Sequence, residues 1–297
     1  MAQAKGAQRD QGIPNGTFVT EAVVLRLTDH GEADRIVTLL TASHGKISAV
    51  APGARRSRRR FGAALSPFGS GEASLRERRG QDLLLLESLH SDRGYPHLGQ
   101  ELGRFSHAAY ACELCLHLCP PGEPEPAVLA LLRAFLGYLD GLPITDKPRV
   151  EPLRSFELRL LQAVGLGLSL SRCCACGRGL ADPSEDALLQ EREEEGGAAP
   201  HPFDVQRGGV LCELCCGRSA GGAVLSRPLS AAVLAALQAL ARRWPVLDAA
   251  GSEVTLRLSP WVAQGCREVT LAVLRNHLGR DLRAVEFIHK LNLTGVG

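Results

Sequence analysis

The sequence predicts an α+β protein in which a small β-barrel precedes an α-helical domain. Three observations support this fold class. Short strand-like runs alternate with turn residues over residues 17–92, apolar residues recur at three- and four-residue steps after Pro96, and two Cys-x-x-Cys pairs interrupt the helical pattern. Five strands in this length fit a five-stranded barrel of the OB type better than an eight-stranded one. We therefore expect an OB-fold barrel and then a helical domain with an inserted four-cysteine zinc module.

The five predicted strands are rich in apolar and β-branched residues and are bounded by turns. Asp29-His30-Gly31 separates the first strand from the second, and Ser43-His44-Gly45 separates the second from the third, because Asp, Ser and Gly favour tight turns. The predicted strands cover residues 21–28, 33–41, 46–51, 71–78 and 82–90.

The helical part begins where the apolar residues change to a longer period. Leu98, Leu102, Phe105, Ala109 and Cys112 are predicted to share one helix face. The breaks between later apolar runs are rich in Pro and Gly, which do not continue a helix. Further helices are predicted over residues 128–139, 153–164, 230–244 and 260–278, with Ser230 as an N-cap.

These patterns divide the chain into segments. Residues 1–16 are predicted to be a flexible polar tail, residues 17–92 the OB-fold domain, and residues 93–297 the helical domain. The zinc module is predicted over residues 171–220, where regular periodicity is lost. A polar, acidic insert over residues 191–197 is predicted to be a surface loop within that module.

The composition excludes a disordered chain, since 45% of the 297 residues are hydrophobic and 22% are charged. The net charge of +2 hides a pattern: residues 1–90 carry +4, residues 91–220 carry −6, and residues 221–297 carry +4. Basic ends attract a polyanion even when the whole chain is close to neutral. The sequence has no signal-peptide pattern and no apolar run long enough to span a membrane, so we expect a cytoplasmic protein without membrane contact.

Two Cys-x-x-Cys pairs predict a metal site. Cys173 and Cys176 form the first pair, Cys212 and Cys215 form the second, and four thiolates suit a tetrahedral Zn²⁺ ion. Gly177 allows the backbone to turn back over the metal. Four thiolates leave no open position for water, so one structural rather than catalytic zinc is predicted.

The remaining cysteines leave alternatives open. Cys174 and Cys216 adjoin the preferred ligands, so the choice of ligands is open, and the paired cysteines could also be simply buried thiols. The other four cysteines lie in helical patterns, and we expect packing roles or free thiols. These four are Cys112, Cys115, Cys119 and Cys266.

A basic cluster follows the third predicted strand. It holds five arginines within six residues: Arg55, Arg56, Arg58, Arg59 and Arg60. A basic loop on an OB-type barrel is well placed to contact a nucleic-acid backbone. The alternative is a solvated loop with no partner.

Neighbouring residues could enlarge this nucleic-acid surface. Arg26, Arg35 and Lys46 are further basic positions in the predicted strands. Phe61 and Phe68 flank the cluster and are candidate stacking faces for bases.

Four stretches of the sequence occur in a characteristic order. The most specific is D-H-G-E-A-D-R-I-V-T-L-L-T-A-S-H-G-K over residues 29–46. A basic G-A-R-R-S-R-R-R-F-G-A-A-L-S-P-F stretch follows over residues 53–68, then the two cysteine pairs, then L-R-N-H-L-G over residues 274–279. In this order, over about residues 17–290, the sequence resembles the bacterial RecO family of recombination mediators.

The resemblance implies a function as well as a fold. RecO proteins bind single- and double-stranded DNA through the OB domain and anneal strands covered by single-strand binding protein. They act with RecR, and often with RecF, to load RecA. The family's basic residues map onto Lys46 and the cluster from Arg55 to Arg60, and its zinc ligands map onto Cys173, Cys176, Cys212 and Cys215.

The function predicted from the sequence is therefore a non-enzymatic DNA repair and recombination mediator. No Walker A or H-E-x-x-H motif favours an enzyme. The alternative is a protein-interaction scaffold with a structural zinc, in which DNA contact is incidental.

Overall fold

The computed structural model describes residues 16–57, 59–78, 80–143, 145–180, 201–216, 228–242, 256–279 and Leu282. These residues form two compact units. Of the described residues, the barrel unit holds those up to Gly94 together with Pro120–Pro126, and the helical unit holds Tyr95–Cys119 and those from Ala127 onward. The predicted tail lies outside the described residues except for Gly16.

The barrel unit is a closed five-stranded barrel, which confirms the predicted fold class. The strands join in the order β1-β2-β3-β5-β4, and β4 pairs with β1 to close the barrel. Every pairing is antiparallel except that of β3 with β5. The strands are β1 (Thr17–His30), β2 (Asp34–Thr41), β3 (Gly45–Ala51), β4 (Ser70–Arg76) and β5 (Leu84–Arg93).

Side chains alternate between the two faces of each strand, and the inward-facing apolar ones fill the barrel. On β2, Val37 and Leu39 point into the core, and the opposite residues Ala49 and Ile47 of β3 lie on the same side. Strand β1 reaches well beyond its predicted ends, because it pairs with β4 along its first half and with β2 along its second half. A β-bulge between Val24 and Arg26 marks this change of partner.

The helical unit contains the five long helices that the sequence predicts. They are α1 (Leu102–Leu118), α2 (Pro126–Gly141), α3 (Val150–Ala163), α5 (Ala231–Arg242) and α6 (Pro260–Leu278). A single turn, α4 (Glu213–Cys216), and a two-stranded ribbon, β6 (Phe203–Asp204) with β7 (Gly209–Val210), belong to the cysteine-rich part. None of the helices in the described ranges is long and apolar enough to cross a membrane.

Local chemistry sets the ends and contacts of the last two helices. The Ser230 hydroxyl accepts a hydrogen bond from the Val233 N–H at 3.2 Å, which confirms the predicted N-cap of α5. Helix α6 starts with Ser259 and Pro260 and ends at Gly279, whose φ is +63°. A Cβ on Gly265 would lie 2.5 Å from a methyl carbon of Val233, so α5 and α6 approach closely at this point.

The predicted buried face of α1 is partly wrong. Leu98 is buried but precedes the helix, because the Glu101 carboxylate caps the N–H groups of Gly103 and Arg104. Leu102 and Phe105 are exposed. The buried face carries Ala108, Ala111, Cys112 and Cys115, and of these only Cys112 belongs to the predicted stripe.

Candidate nucleic-acid interface and metal centre

The arginine loop, residues 52–60, is anchored by backbone contacts to two neighbouring parts of the barrel. The Gly53 N–H donates to the Asp34 carboxylate at 2.8 Å, and the Arg55 N–H donates to the Ala33 carbonyl at 3.0 Å. At the other end of the loop, the Leu89 N–H of β5 donates to the Arg60 carbonyl at 3.0 Å. Asp34 positions the arginine loop, and no local sequence pattern indicates this role, because it depends on contact with a residue nineteen positions further along the chain.

The side chains of this loop face solvent. Arg55, Arg56, Arg59 and Arg60 are exposed, and Arg58 lies outside the described residues. The Arg55 guanidinium donates to the Glu32 carbonyl at 3.3 Å. The Arg60 guanidinium donates to the Pro52 carbonyl at 2.5 Å and lies 5.0 Å from the centre of the Phe61 ring. Two of the four side chains are thus held in position by the protein.

The arginines of the loop have no acidic partner among the described residues, unlike two other arginines of the barrel. Within the described ranges, Arg55, Arg56, Arg59 and Arg60 form no ion pair. By contrast, Arg35 pairs with Asp29 at 3.1 Å, and Arg76 pairs with Glu87 at 2.9 Å on the same barrel. Exposed cations on an anchored loop attract an anionic ligand at little cost in conformational entropy.

The structure separates Arg35 from Lys46. Arg35 lies opposite Ala51 at the end of the β2–β3 ladder from which the arginine loop starts, and its guanidinium reaches the Leu65 carbonyl at 3.5 Å. Lys46 lies opposite Leu40 near the other end of that ladder. Because side chains alternate along a strand, Arg35 and Lys46 belong to opposite faces of the sheet.

Lys46 has different neighbours. Its carbonyl accepts a hydrogen bond from the Gly122 N–H at 3.0 Å, and it forms a parallel bridge with Pro121. Arg26 is exposed on the same outer face of the barrel, opposite Thr38. The predicted basic positions therefore form two groups, with Arg35 beside the loop and Lys46 with Arg26 on the outer face.

The two phenylalanines do not form an exposed stacking surface, so that expectation is wrong. Phe61 is 2% exposed and belongs to the barrel core, and Phe68 is 7% exposed. The chain folds inward directly after Arg60, because the apolar stretch from Phe61 covers the barrel core. Bases would need other partners on this surface.

The two cysteine pairs meet in one cluster. The sulfur atoms of Cys173, Cys176, Cys212 and Cys215 all lie within 4.8 Å of one another, close enough to hold a metal ion. The Cys176 and Cys212 sulfurs are 3.8 Å apart. Four sulfurs bound tetrahedrally at about 2.3 Å from a metal are separated by about 3.8 Å, so the distance between the Cys176 and Cys212 sulfurs is that of such a site.

Backbone turns bring the sulfurs together. In the first pair, the Gly177 N–H donates to the Cys173 carbonyl at 2.8 Å, and Gly177 has a φ of +73°, which glycine adopts without strain. In the second pair, the Cys215 N–H donates to the Cys212 carbonyl at 3.0 Å. The Cys174 N–H donates to the Val210 carbonyl at 2.9 Å, which ties the first turn to the ribbon before the second.

The thiols of the cluster have unequal proton affinities. Burial acts to raise the pKa of Cys173, but the backbone N–H groups of Cys212, Cys176 and Ala175 outweigh it and lower that pKa to about 6. The neighbouring sulfurs of Cys212 and Cys176 raise the pKa of Cys215 to about 12. Four sulfurs this close repel one another when ionised, and a bound cation removes that repulsion.

Cys174, which adjoins the first pair, does not point into the four-sulfur cluster. The Cys174 thiol donates to the Gly209 carbonyl at 3.4 Å, and burial raises its pKa. Cys216 packs beside the cluster without joining the four close sulfurs. The acidic insert over residues 191–197 lies outside the described residues.

The remaining cysteines are buried in the helical unit, as predicted. Cys112, Cys115, Cys119 and Cys266 are each at most 2% exposed, and none forms a disulfide. Burial raises the pKa of Cys112 and of Cys266 to about 12, so these two thiols stay protonated and unreactive at neutral pH.

Comparison with known families accounts for both units. A family model described as "Recombination protein O N terminal" matches residues 16–92, and one described as "Recombination protein O C terminal" matches residues 99–286. The chain belongs to the RecO family. The barrel with the arginine loop is the OB-fold part of RecO, and the RecO C-terminal part contains the helices and the cysteine cluster.

Individual relatives agree with this assignment. The chain is 43% identical over 269 residues to the DNA repair protein RecO of Anaeromyxobacter dehalogenans (strain 2CP-C), covering 91% of this chain and 94% of the relative. It is 32% identical over 274 residues to the DNA repair protein RecO of Myxococcus xanthus (strain DK1622), covering 92% and 97%. The chain is thus a DNA repair protein of the RecO family.

Proposed function

We propose that this RecO protein is a DNA repair and homologous recombination mediator that works without making or breaking covalent bonds. It binds single- and double-stranded DNA and anneals complementary strands that are coated by single-strand binding protein. With RecR, and with RecF where that partner takes part, it loads RecA onto the coated strand. Its place of action is the bacterial cytoplasm, at the nucleoid.

One observation carries the DNA-binding part of the proposal. The arginine loop displays four exposed guanidinium groups that form no ion pair within the described residues. Arginine suits phosphate because its planar fork donates two parallel hydrogen bonds. Arg58, Arg35 and Lys46 are proposed as further DNA contacts, with Lys46 on the separate outer face described above.

Annealing requires only binding energy. Two strands repel each other through their phosphates, and a surface that neutralises both sets of charges lowers that repulsion. The bases then pair without any contribution from a catalytic side chain. A loop with backbone contacts at both ends keeps the arginines in place while the strands move.

We further propose that the cysteine cluster binds one structural Zn²⁺ through Cys173, Cys176, Cys212 and Cys215. The 3.8 Å separation between the Cys176 and Cys212 sulfurs agrees with the geometry of a tetrahedral zinc–thiolate site. Bound zinc would hold the two turns together. The ribbon β6–β7 and the four-residue helix α4 are too short to bury a core of their own, which is why such segments use a metal.

The DNA-binding proposal is tested by titrating the full chain with a fluorescent single strand at several salt concentrations. Arg56 and Arg59 are the best positions to change, because no contact of their guanidinium groups holds the loop together within the described residues. The variant Arg56→Ala/Arg59→Ala is expected to make the negative slope of log affinity against log salt shallower by about 1.4, since each lost phosphate contact removes about 0.7 of its magnitude for a single strand.

The matched control is Arg56→Lys/Arg59→Lys, which keeps both charges. It is expected to keep the salt slope and to lose only part of the affinity, because lysine lacks the bidentate fork. An unchanged salt slope in the alanine variant would contradict the proposed DNA-binding role of the loop.

A further inference from the structure

A second cationic site lies within the helical unit. A cavity of about 760 Å³ opens between the C-terminal halves of α3 and α5 and the extended segment 167–172. Arg159, Arg172 and Arg242 reach it from these three parts of the chain, and the residues of its lining that the structure describes include no Asp or Glu. The described part of the cavity wall therefore carries a net positive charge.

The protein holds one of these arginines in place. The Arg242 guanidinium donates to the Gln238 carbonyl at 3.2 Å and to the Gln238 side-chain oxygen at 3.3 Å. Gln238 is only 5% exposed, and its amide donates in turn to the Leu170 carbonyl at 3.1 Å and to the Ser171 hydroxyl at 3.3 Å. This chain of contacts orients Arg242 at the cavity before any ligand binds.

Helix ends explain only part of this arrangement. Helix α5 ends at Arg242, and helix C-termini attract cations, which accounts for Arg242. Helix α3 has no basic residue in its last turn, so its end does not account for Arg159. Arg172 lies in neither helix. Its side chain is exposed, and its contact within the described residues is a 3.4 Å hydrogen bond to the Gly177 carbonyl. Neither Arg172 nor Arg242 forms an ion pair there.

The rest of the wall is partly apolar. Leu158, Leu168 and Leu170 line the cavity beside the hydroxyls of Ser169 and Ser171. A ligand for this site combines an anionic group with a flat or apolar part. A nucleotide has this composition, because its phosphate pairs with guanidinium groups while its sugar and base cover apolar side chains.

We propose that this cavity binds single-stranded DNA, with a phosphate on Arg172 and Arg242 and the adjoining sugar and base against Leu168 and Leu170. The inference rests on the proposed function and deepens it. Annealing requires two strands to be held, and the cavity supplies a strand-binding site separate from the arginine loop.

The cysteine module supports one wall of the cavity. The Ser169 N–H donates to the Gly208 carbonyl at 2.9 Å, and the Val210 N–H donates to the Ser169 carbonyl at 2.9 Å. Segment 167–172 is therefore paired with the ribbon that precedes Cys212, and it continues directly into Cys173.

The test uses the full chain and an oligothymidylate that carries a photoreactive diazirine on one base, because the carbene it forms inserts into aliphatic side chains such as those of the cavity. After irradiation, mass spectrometry is expected to find a crosslinked peptide from residues 167–172 or 238–242. The variant Arg172→Ala/Arg242→Ala is expected to reduce this crosslink at least tenfold and to make the negative salt slope of binding shallower by about 1.4. The control Arg178→Ala/Arg257→Ala removes two exposed arginines of the same unit outside the cavity, and it is expected to leave the crosslink unchanged.

The outcomes separate this inference from the proposed function. Crosslinks that map only to the barrel, with a normal salt slope in Arg172→Ala/Arg242→Ala, would overturn the cavity site and leave the loop intact. A cavity crosslink that is lost when a glutamate-rich peptide is added, but not when unlabelled oligothymidylate is added, would also overturn the DNA site. That result would indicate a protein ligand instead. If Arg56→Ala/Arg59→Ala binds DNA normally, the proposed DNA-binding role of the arginine loop is wrong. The crosslink then tests the cavity site independently of the loop.

Discussion

The arginine loop of the barrel and the interior of the helical unit use the same residue type in opposite ways. In the loop, arginines face solvent and form no ion pair within the described residues. In the helical unit, Arg154 is 5% exposed, pairs with the fully buried Glu157 at 2.7 Å, and donates to the Thr270 hydroxyl at 2.9 Å. An arginine with a buried acidic partner supports the fold, whereas an exposed one without a partner is available to a ligand.

Tyr110 is the fourth member of this buried network. The Tyr110 hydroxyl donates to the Glu157 carboxylate at 2.6 Å. Burial raises the pKa of Glu157, while Arg154, Tyr110 and Thr270 act to lower it. Each partner compensates for the cost of burying another, so the loss of one member leaves the others unpaired.

The largest expected effect is loss of the metal. Cys176→Ser removes one of the four close sulfurs, and the proposed metal contributes about 10 kcal/mol of binding free energy to this segment. Metal content of the purified protein is expected to fall from one ion per chain to nearly none, and residues around the cysteine pairs to become sensitive to proteases. Cys174→Ser is the matched control and is expected to keep the metal, because that thiol points to Gly209.

The next effect concerns the buried ion pair. Glu157→Leu alone leaves Arg154 buried without its partner and is expected to cost about 3–5 kcal/mol of unfolding free energy. Urea unfolding would measure it. The double variant Arg154→Met/Glu157→Leu is expected to cost less than the single one, since both charges are then gone. A double variant that is less stable than the single one would contradict the network described here.

A smaller effect is a pH dependence of stability. Burial lowers the pKa of His107 to about 4, against a backbone hydrogen bond to Gly103 that acts to raise it. His107 therefore binds a proton near pH 6.5 in the unfolded chain but only near pH 4 in the folded chain. Because of this difference, the free energy of unfolding falls by about 3 kcal/mol as the pH drops from 6.5 toward 4. Unfolding midpoints measured across this range test the prediction. His107→Gln is expected to flatten the curve, and an equally steep fall in that variant would assign the effect to other groups.

The smallest expected effect on stability belongs to the loop. Arg56→Ala/Arg59→Ala is expected to change the unfolding free energy by less than about 0.5 kcal/mol, because both side chains are exposed and unpaired within the described residues. The same urea unfolding experiment measures it. A loss comparable to that of Glu157→Leu would mean that these arginines support the fold, and the contrast between the two regions would disappear.

Much of the fold and part of the site were predictable from local patterns. The five strands follow from short runs between turn residues, and the Ser230 cap follows from its place before an apolar helix. The exposed side of α1 was missed, because Leu102 and Phe105 have the same spacing as a core stripe. Phe61 was misplaced for a related reason, since an aromatic residue beside arginines fits both a core and a binding surface.

The sequence by itself determined the kind of elements, the four cysteines with metal-ligand spacing and the basic cluster, because these depend on residues close together in the chain. Only the tertiary structure decided which groups meet. It separated Lys46 from Arg35 through the β2–β3 register, brought Asp34 to the arginine loop, and placed Arg172 beside Arg242. Strand register and packing bring together residues far apart in the chain, and no local pattern records those distances.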